Sequence, residues 1–235
     1  MARSVDPAAH ASRREEFLDV AQRLIQTRGY AQMSVQDVLA GTEASKGAFY
    51  HYFDSKQALL EALIERTADT LAAHLAPIAR LDAPALDRLQ RFFAALAGWK
   101  VPRRDLLVAL LRVWYGDDNA VVRQKMRPGL ADRMLPLLND IISDGAAQGV
   151  FTTPYPEQTG RVLLSLLNDL NDTLGELLLT QESQEPGAVS PPPIEAMLAA
   201  YTDAMERVLG VPAGSLLLVD PATLTAWFDP TGDRP

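Results

Sequence analysis

Apolar residues recur at intervals of three and four along most of this chain, a spacing that predicts helices throughout and no credible strand. Phe17, Leu18, Ala21, Leu24 and Ile25 form the first stripe, with Ser12 and Glu15 spaced as a capping box and Gly29 as the terminator. A short second helix opens at Ser34 with Asp37 in the box position, buries Val35, Val38 and Leu39, and closes at Gly41. After a turn at 42–44, Ser45 caps a third helix. Asp54, with Gln57 three residues on, opens a fourth that carries Leu59, Leu60, Leu63 and Ile64 to about Leu75. Beyond Pro77 the periodicity predicts helices over 84–100, 102–115, 119–148, 156–180 and 194–209, and a short last one from Asp220-Pro221 through Trp227. Pro128 and Pro136 are expected to break or kink the seventh. Gly116-Asp117-Asp118 and residues 181–193 read as loops. The fold class is all-α. Its expected parts are a flexible arm at 1–11, a three-helix domain at 12–58 containing a helix-turn-helix, and a larger helical domain at 59–235.

The third helix carries the most specific chemistry. Ser45 to Phe53 reads S-K-G-A-F-Y-H-Y-F. Phe49 and Phe53, four apart, face inward, while Lys46, Gly47, Tyr50 and His51 fall on the opposite side. Glycine inside a helix costs about 1 kcal/mol relative to alanine, so Gly47 needs a reason. Close approach of another molecule to the backbone is one. A cationic and phenolic face with a bare backbone spot suits a nucleic-acid groove, and the stretch reads as a recognition helix.

Composition changes this picture little. The 235 residues are 48% hydrophobic and 22% charged, with no cysteine and three histidines. That excludes a disulfide framework, a thiolate metal site and a cysteine nucleophile. No metal site and no cofactor are expected. There is no signal-peptide pattern, and no apolar run approaches the roughly 20 residues that cross a bilayer. A soluble, cytoplasmic protein without a membrane partner is expected. The net charge of −8 is unevenly placed: residues 1–66 hold 8 Lys/Arg against 9 Asp/Glu. A nearly neutral head on an acidic body can still bind DNA through a small basic face.

The segment from about Arg13 to Ile64 resembles the tetracycline-repressor (TetR) family of bacterial transcriptional regulators. The residues that carry the resemblance are Gly29-Tyr30, S-V-Q-D-V-L-A from Ser34, S-K-G-A-F-Y-H-Y-F-D-S-K from Ser45, and Leu59-Leu60. Farther on, only helix number and length and the G-V-F stretch at Gly149 fit. The resemblance implies an all-helical homodimer. Its N-terminal domains would bind a palindromic double-stranded operator, and its C-terminal domain would carry a pocket for an unidentified small-molecule effector. One departure stands out: where the family usually has a turn glycine this chain has Glu43, and a glycine lies at Gly41 instead. An acid there repels phosphate or accepts from a cytosine amino group.

On this reading Lys46 and Lys56 contact phosphate, Lys56 also being at a helix start where anions are favoured. Ser34 caps and contacts phosphate together. Tyr50 donates to phosphate, and His51 meets a base edge or phosphate. Ser45 caps the recognition helix, Gly47 admits the backbone, Tyr52 divides between core and DNA, and Thr42 and Ala44 border the groove.

Two later stripes are candidate dimer faces: Leu163, Leu167, Leu170, Leu174 and Leu178 in the eighth helix, and Ile194, Met197, Leu198, Tyr201 and Met205 in the ninth. The bland reading is that both bury inside one chain. Phe93, Trp99, Trp114, Tyr115, Met126 and Met134 are candidate effector contacts, although such residues are commonly plain core. Arg112 on the apolar sixth helix, and Asn168, Asn171 and Asp172 in the leucine-rich eighth, raise the same question, because buried polar groups require partners. They could bond across a dimer, face solvent or orient an inducer. An enzyme is a poor rival, since no G-x-S-x-G, H-E-x-x-H or phosphate-binding glycine loop occurs. The remaining alternative is a helical effector-binding or protein-interaction module with weak or lost DNA binding.

Overall fold

A computed structural model describes residues 7–115, 120–183 and 194–228; for 7, 120–128 and 181–183 it describes the backbone path alone. Within these residues the chain is helical: α1 Pro7–Arg28, α2 Val35–Thr42, α3 Lys46–Tyr52, α4 Lys56–Ala79, α5 Ala85–Lys100, α6 Arg104–Trp114, α7 Ala120–Ala147, α8 Pro156–Ser183, α9 Ile194–Leu209 and α10 Pro221–Phe228. A 3-10 turn, Val101–Arg103, joins α5 to α6. Among the described residues there is no strand, and no helix is long and apolar enough to cross a membrane.

Several boundaries differ from the sequence reading. Helix α1 starts at Pro7, so Ser12 lies inside it and caps nothing. Ala8, Ala9 and Ala11, strong helix formers, carry the helix back into the expected arm. Ser55, not Asp54, caps α4: its hydroxyl accepts the Ala58 amide at 3.0 Å. That helix continues through Pro77 to Ala79. Helix α7 runs without a break across 128 and 136. Met134, Leu137, Leu138, Ile141 and Ile142, on either side of Pro136, are all buried, and their packing outweighs the lost backbone hydrogen bond. Residues 181–183 extend α8, while 184–193 and the Gly116–Asp118 loop lie outside the described residues.

The chain divides into two compact units. One holds the residues through Thr67 together with Asp105–Met126; the other holds Ala68–Arg104 and Arg127 onward. The division falls inside α4 and assigns α6 to the first unit. The expected split at 58/59 had placed α6 in the second.

The first unit is built on an aromatic cluster. Phe17 lies edge-on to Phe49 and Phe53, at 5.7 and 6.1 Å between ring centroids. Such pairs add about 0.5–1.5 kcal/mol beyond area burial. Leu59, Leu60 and Leu63 of α4 and Leu106, Ala109, Leu110 and Val113 of α6 complete the core. Across its surface Arg66 of α4 donates to Glu15, Asp19 and Gln22 of α1, at 3.0, 2.7 and 2.8 Å.

The second unit packs α5, α7, α8 and α9 around Leu89, Phe92, Phe93, Leu138, Ile141, Leu163 and Met205. Arg88 is buried yet satisfied in part, donating to the Ala79 carbonyl at 3.0 Å and to Asp144 at 2.7 Å. The tail after α9 is tied down by a buried carboxylate: Glu206 accepts the Gly214 and Leu216 amides at 3.1 and 2.8 Å. Gln90 closes the same segment by pairing with both the amide and the carbonyl of Leu217, each at 2.8 Å. Arg104 donates to the Trp227 carbonyl at 2.9 Å and so holds α10.

Candidate nucleic-acid interface

The turn between α2 and α3 sets the recognition helix. Helix α2 begins with a complete capping box: the Asp37 amide donates to the Ser34 hydroxyl at 3.2 Å, and the Ser34 amide donates to Asp37 Oδ2 at 2.8 Å. The hydroxyl of Ser34 also donates to that carboxylate at 2.6 Å. These bonds, with Arg28 nearby, hold the Asp37 carboxyl below its usual range. They also commit the Ser34 hydroxyl proton inside the chain, so the expected phosphate bond from that proton is not prepared.

Helix α2 ends in the left-handed region at Glu43, with φ 49° and ψ 32°, a conformation that ordinarily selects glycine. Its neighbour Gly41 is glycine for a different reason. A Cβ there would meet Val20 Cγ1 of α1 at 2.6 Å, so Gly41 permits close packing of α2 on α1 rather than the turn. Helix α2 therefore ends at Thr42, one residue beyond the expected stop at Gly41.

Ser45 then caps α3, accepting the Ala48 amide at 3.2 Å. Phe49 and Phe53 are fully or almost fully buried, at 0% and 4% exposure. Ser45, Lys46, Gly47, Tyr50 and His51 are exposed together on the other face, Tyr50 at 46%. The Lys46 amine sits 6.0 Å from the centre of the Tyr50 ring. At Gly47 a Cβ would touch nothing nearer than Ser45 Oγ at 4.0 Å, so no internal packing calls for glycine there.

Three other expected contacts sit differently. Thr42 is buried, its hydroxyl donating to the Val38 carbonyl at 2.9 Å, and it does not border the exposed face. Ala44 is half-buried against the core. Tyr52 is half-buried between Phe17 and His10, with ring centroids at 5.7 and 4.5 Å. Lys56 lies over the Tyr30 ring at 4.3 Å and donates to the Ala31 carbonyl at 3.4 Å; partial burial lowers its pKa. It fastens α4 to the turn after α1 and leaves two ammonium protons for other acceptors. The sequence reading missed His10, whose ring lies beside α3. Its spacing of four and seven residues to Arg14 and Phe17 was the available signal.

The candidate effector contacts do not form one cluster. Arg112, Trp114 and Tyr115 belong to the first unit, Arg112 exposed and the two aromatics half-buried. Phe93 and Met134 are core side chains of the second unit. Trp99 is buried beneath the Arg103 guanidinium, 4.3 Å from its ring centre. The Met126 side chain lies outside the described residues. Asn168 is exposed and Asp172 half-buried. Asn171 accepts from the Lys100 amine at 2.5 Å and donates to the Leu167 carbonyl at 2.7 Å. Enclosure lowers the Lys100 pKa to about 8.

The candidate dimer stripes are mostly spent within the chain. Leu163, Leu167, Leu170, Leu178, Leu198 and Met205 are buried, and α8 and α9 pack on each other. Leu174, Ile194, Met197 and Tyr201 are partly buried against the same core. The outward positions are Val162, Ser165, Asp169, Ala196, Ala199, Ala200 and Asp203.

Comparison with known proteins agrees with this geometry. Residues 17–63 match the sequence profile described as bacterial regulatory proteins, tetR family. The chain is 34% identical over 84 residues to the HTH-type transcriptional repressor KstR2 of Mycobacterium tuberculosis. The match covers 36% of this chain and 42% of that protein, so less than half of the relative's length is spanned. A TetR transcription regulator from Haloarcula marismortui shares the fold at TM-score 0.63 and 23% identity, over 83% of this chain and 98% of that one. The transcriptional regulator FadR from Bacillus subtilis, in complex with stearoyl-CoA, shares it at TM-score 0.58 and 15% identity, over 83% and 97%. The helix-turn-helix segment at residues 17–63 thus matches the tetR family of bacterial regulatory proteins, and the fold over most of the chain is shared with solved regulators.

Proposed function

We propose that this protein is a ligand-responsive transcriptional repressor that acts in the cytoplasm and binds a palindromic operator as a homodimer. The observation that carries the reading is Gly47: it sits on the exposed face of a serine-capped helix, with no neighbour in its own chain that forbids a side chain. Lys46, Tyr50 and His51 surround it and supply one cation, one phenol and one imidazole on a face free of carboxylates. A helix so equipped enters a major groove, with phosphate contacts at its flanks and base contacts near Gly47. Two-fold pairing sets two such helices about one DNA turn, or a multiple of it, apart. The outward face of α8 and α9, small and mixed polar, is the proposed contact between copies, in place of the buried leucine stripe.

Ligand response rests on the resemblance to that family and on the enclosed Lys100–Asn171 pair of the second unit. The fold-mate FadR is a transcriptional regulator in complex with stearoyl-CoA. Helix α4 belongs to both units, and its 24 residues reach about 36 Å at 1.5 Å each. An effector that binds one position of its far end better than another would shift the population competent for operator spacing.

The test is duplex selection from a randomised pool followed by anisotropy titration across salt. Wild type should bind with a steep salt slope, and Lys56→Ala should lower the slope by about one unit. Gly47→Ala should bind at least about tenfold more weakly while melting at the same or a higher temperature. Selection that returns no duplex, or a slope indifferent to Lys46 and Lys56, would leave the alternative of a helical interaction module.

A further inference from the structure

The recognition helix does not stand alone at its far end. His10 of α1 lies with its ring 4.5 Å from Tyr52 and edge-on to His51 at 5.4 Å. His51 is exposed, one turn on from Gly47, so the surface runs from Gly47 through His51 to His10. Stacking fixes the His10 ring, yet among the described residues no group exchanges a hydrogen bond with either imidazole. Two pairs of ring nitrogens are therefore held in place and left for an outside partner.

The surroundings favour an anion. Helix α1 has no acid in its first turn, and its positive dipole end lies there. Arg13 and Arg14 follow one turn on, paired within the helix to Glu16 and Glu15. Helix α3 contributes Lys46, Tyr50 and Tyr52 and no carboxylate. The nearest acids in sequence are Asp54, exposed three residues past His51, Glu43 in the turn before α3, Glu15 of α1, which pairs with Arg14 and Arg66, and Asp6, outside the described residues.

We infer that the DNA-contacting surface extends off the recognition helix onto the first turns of α1, where His10 and His51 together grip one backbone phosphate. This rests on the DNA-binding reading above and adds a second element to it. A phosphate oxygen near both rings accepts a hydrogen bond from each, and its negative charge favours the protonated form of the rings in the complex. Binding consequently takes up protons. It tightens as the medium moves from about pH 8 to about pH 6, the range in which histidine side chains change charge.

The test uses the full chain and the duplex that wild type selects. Wild-type affinity should rise about tenfold from pH 8 to pH 6, with a salt slope about one unit steeper at the lower pH. His10→Phe keeps a ring against Tyr52 and His51 and removes the donors. It should lose most of the pH dependence and the extra slope while melting like wild type. His10→Lys should restore tight binding and make it indifferent to pH in this range. If His10→Phe binds as wild type does at pH 6, with the full slope, His10 only props Tyr52 and the inference is wrong. A loss in His10→Phe that is equal at both pH values and leaves the slope unchanged also overturns it. Wild type that selects no duplex removes the DNA-binding reading itself, an outcome seen before any variant is made.

Discussion

Lys100 offers the sharpest test of the second unit's interior. Its side chain keeps some contact with solvent, but its ammonium is enclosed by protein, with a single acceptor, Asn171 Oδ1, at 2.5 Å among the described residues. Among the described residues a charged amine in that position finds no counter-ion and only one of its three acceptors. Its pKa accordingly falls from the ordinary 10.5 to about 8. That drop corresponds to on the order of 3 kcal/mol of destabilisation whenever the folded protein must carry the charge. The direction with pH follows from proton counts. Below about pH 8 both folded and unfolded forms hold the proton, and the full cost is present. Between about pH 8 and 10.5 the unfolded chain holds one proton more, so the lysine's contribution to stability rises with pH. Lys100→Met removes the charge but deprives Asn171 of its donor, a loss of about 1 kcal/mol. The variant should be about 2 kcal/mol more stable than wild type at pH 7 and about 1 kcal/mol less stable near pH 10.5. Urea denaturation of both proteins at pH 7, 8, 9 and 10 measures the difference, and other titrating groups cancel between them. A difference that stays constant across this range would show the ammonium to be solvated, and the reasoning would fail.

Two glycine positions and the turn acid make further tests. Gly41→Ala forces a methyl to within 2.6 Å of Val20 Cγ1. The overpacking should outweigh the gain in helix propensity and lower stability by about 1 kcal/mol in urea titration; an unchanged midpoint would mean that α1 and α2 part freely. Glu43→Gly relieves a non-glycine residue at φ 49°. It should raise stability by about 1 kcal/mol, and it should strengthen duplex binding at low salt by removing a nearby negative charge. A fall in stability would refute the assigned backbone conformation.

Much of the candidate interface was legible in the sequence because it is local. The Ser34–Asp37 box, the Ser45 cap and the four-residue spacing of Phe49 and Phe53 are decided within one or two helical turns. They orient Lys46, Gly47, Tyr50 and His51 outward without help from the rest of the chain. The distant parts of the site were not legible. Thr42 reads as a turn residue by sequence but is buried through its bond to Val38. His10 reads as part of an arm but lies against α3, because helix-forming alanines carry α1 back to Pro7.

The same division holds for the whole molecule. Periodicity by itself determined that the chain is all-helical, where most helices run and which side of each is apolar. Only the tertiary structure decided what covers each apolar side. Leu163, Leu167 and Met205 face their own core rather than a second copy, and Leu106 and Leu110 of α6 join the first unit. It also decided that Gly41 serves packing while Glu43 takes the left-handed turn. The physical reason is that a helical stripe records the need to leave water, which is a property of the segment. The partner that satisfies the need depends on which segments the fold brings together, and nothing within the stripe specifies that.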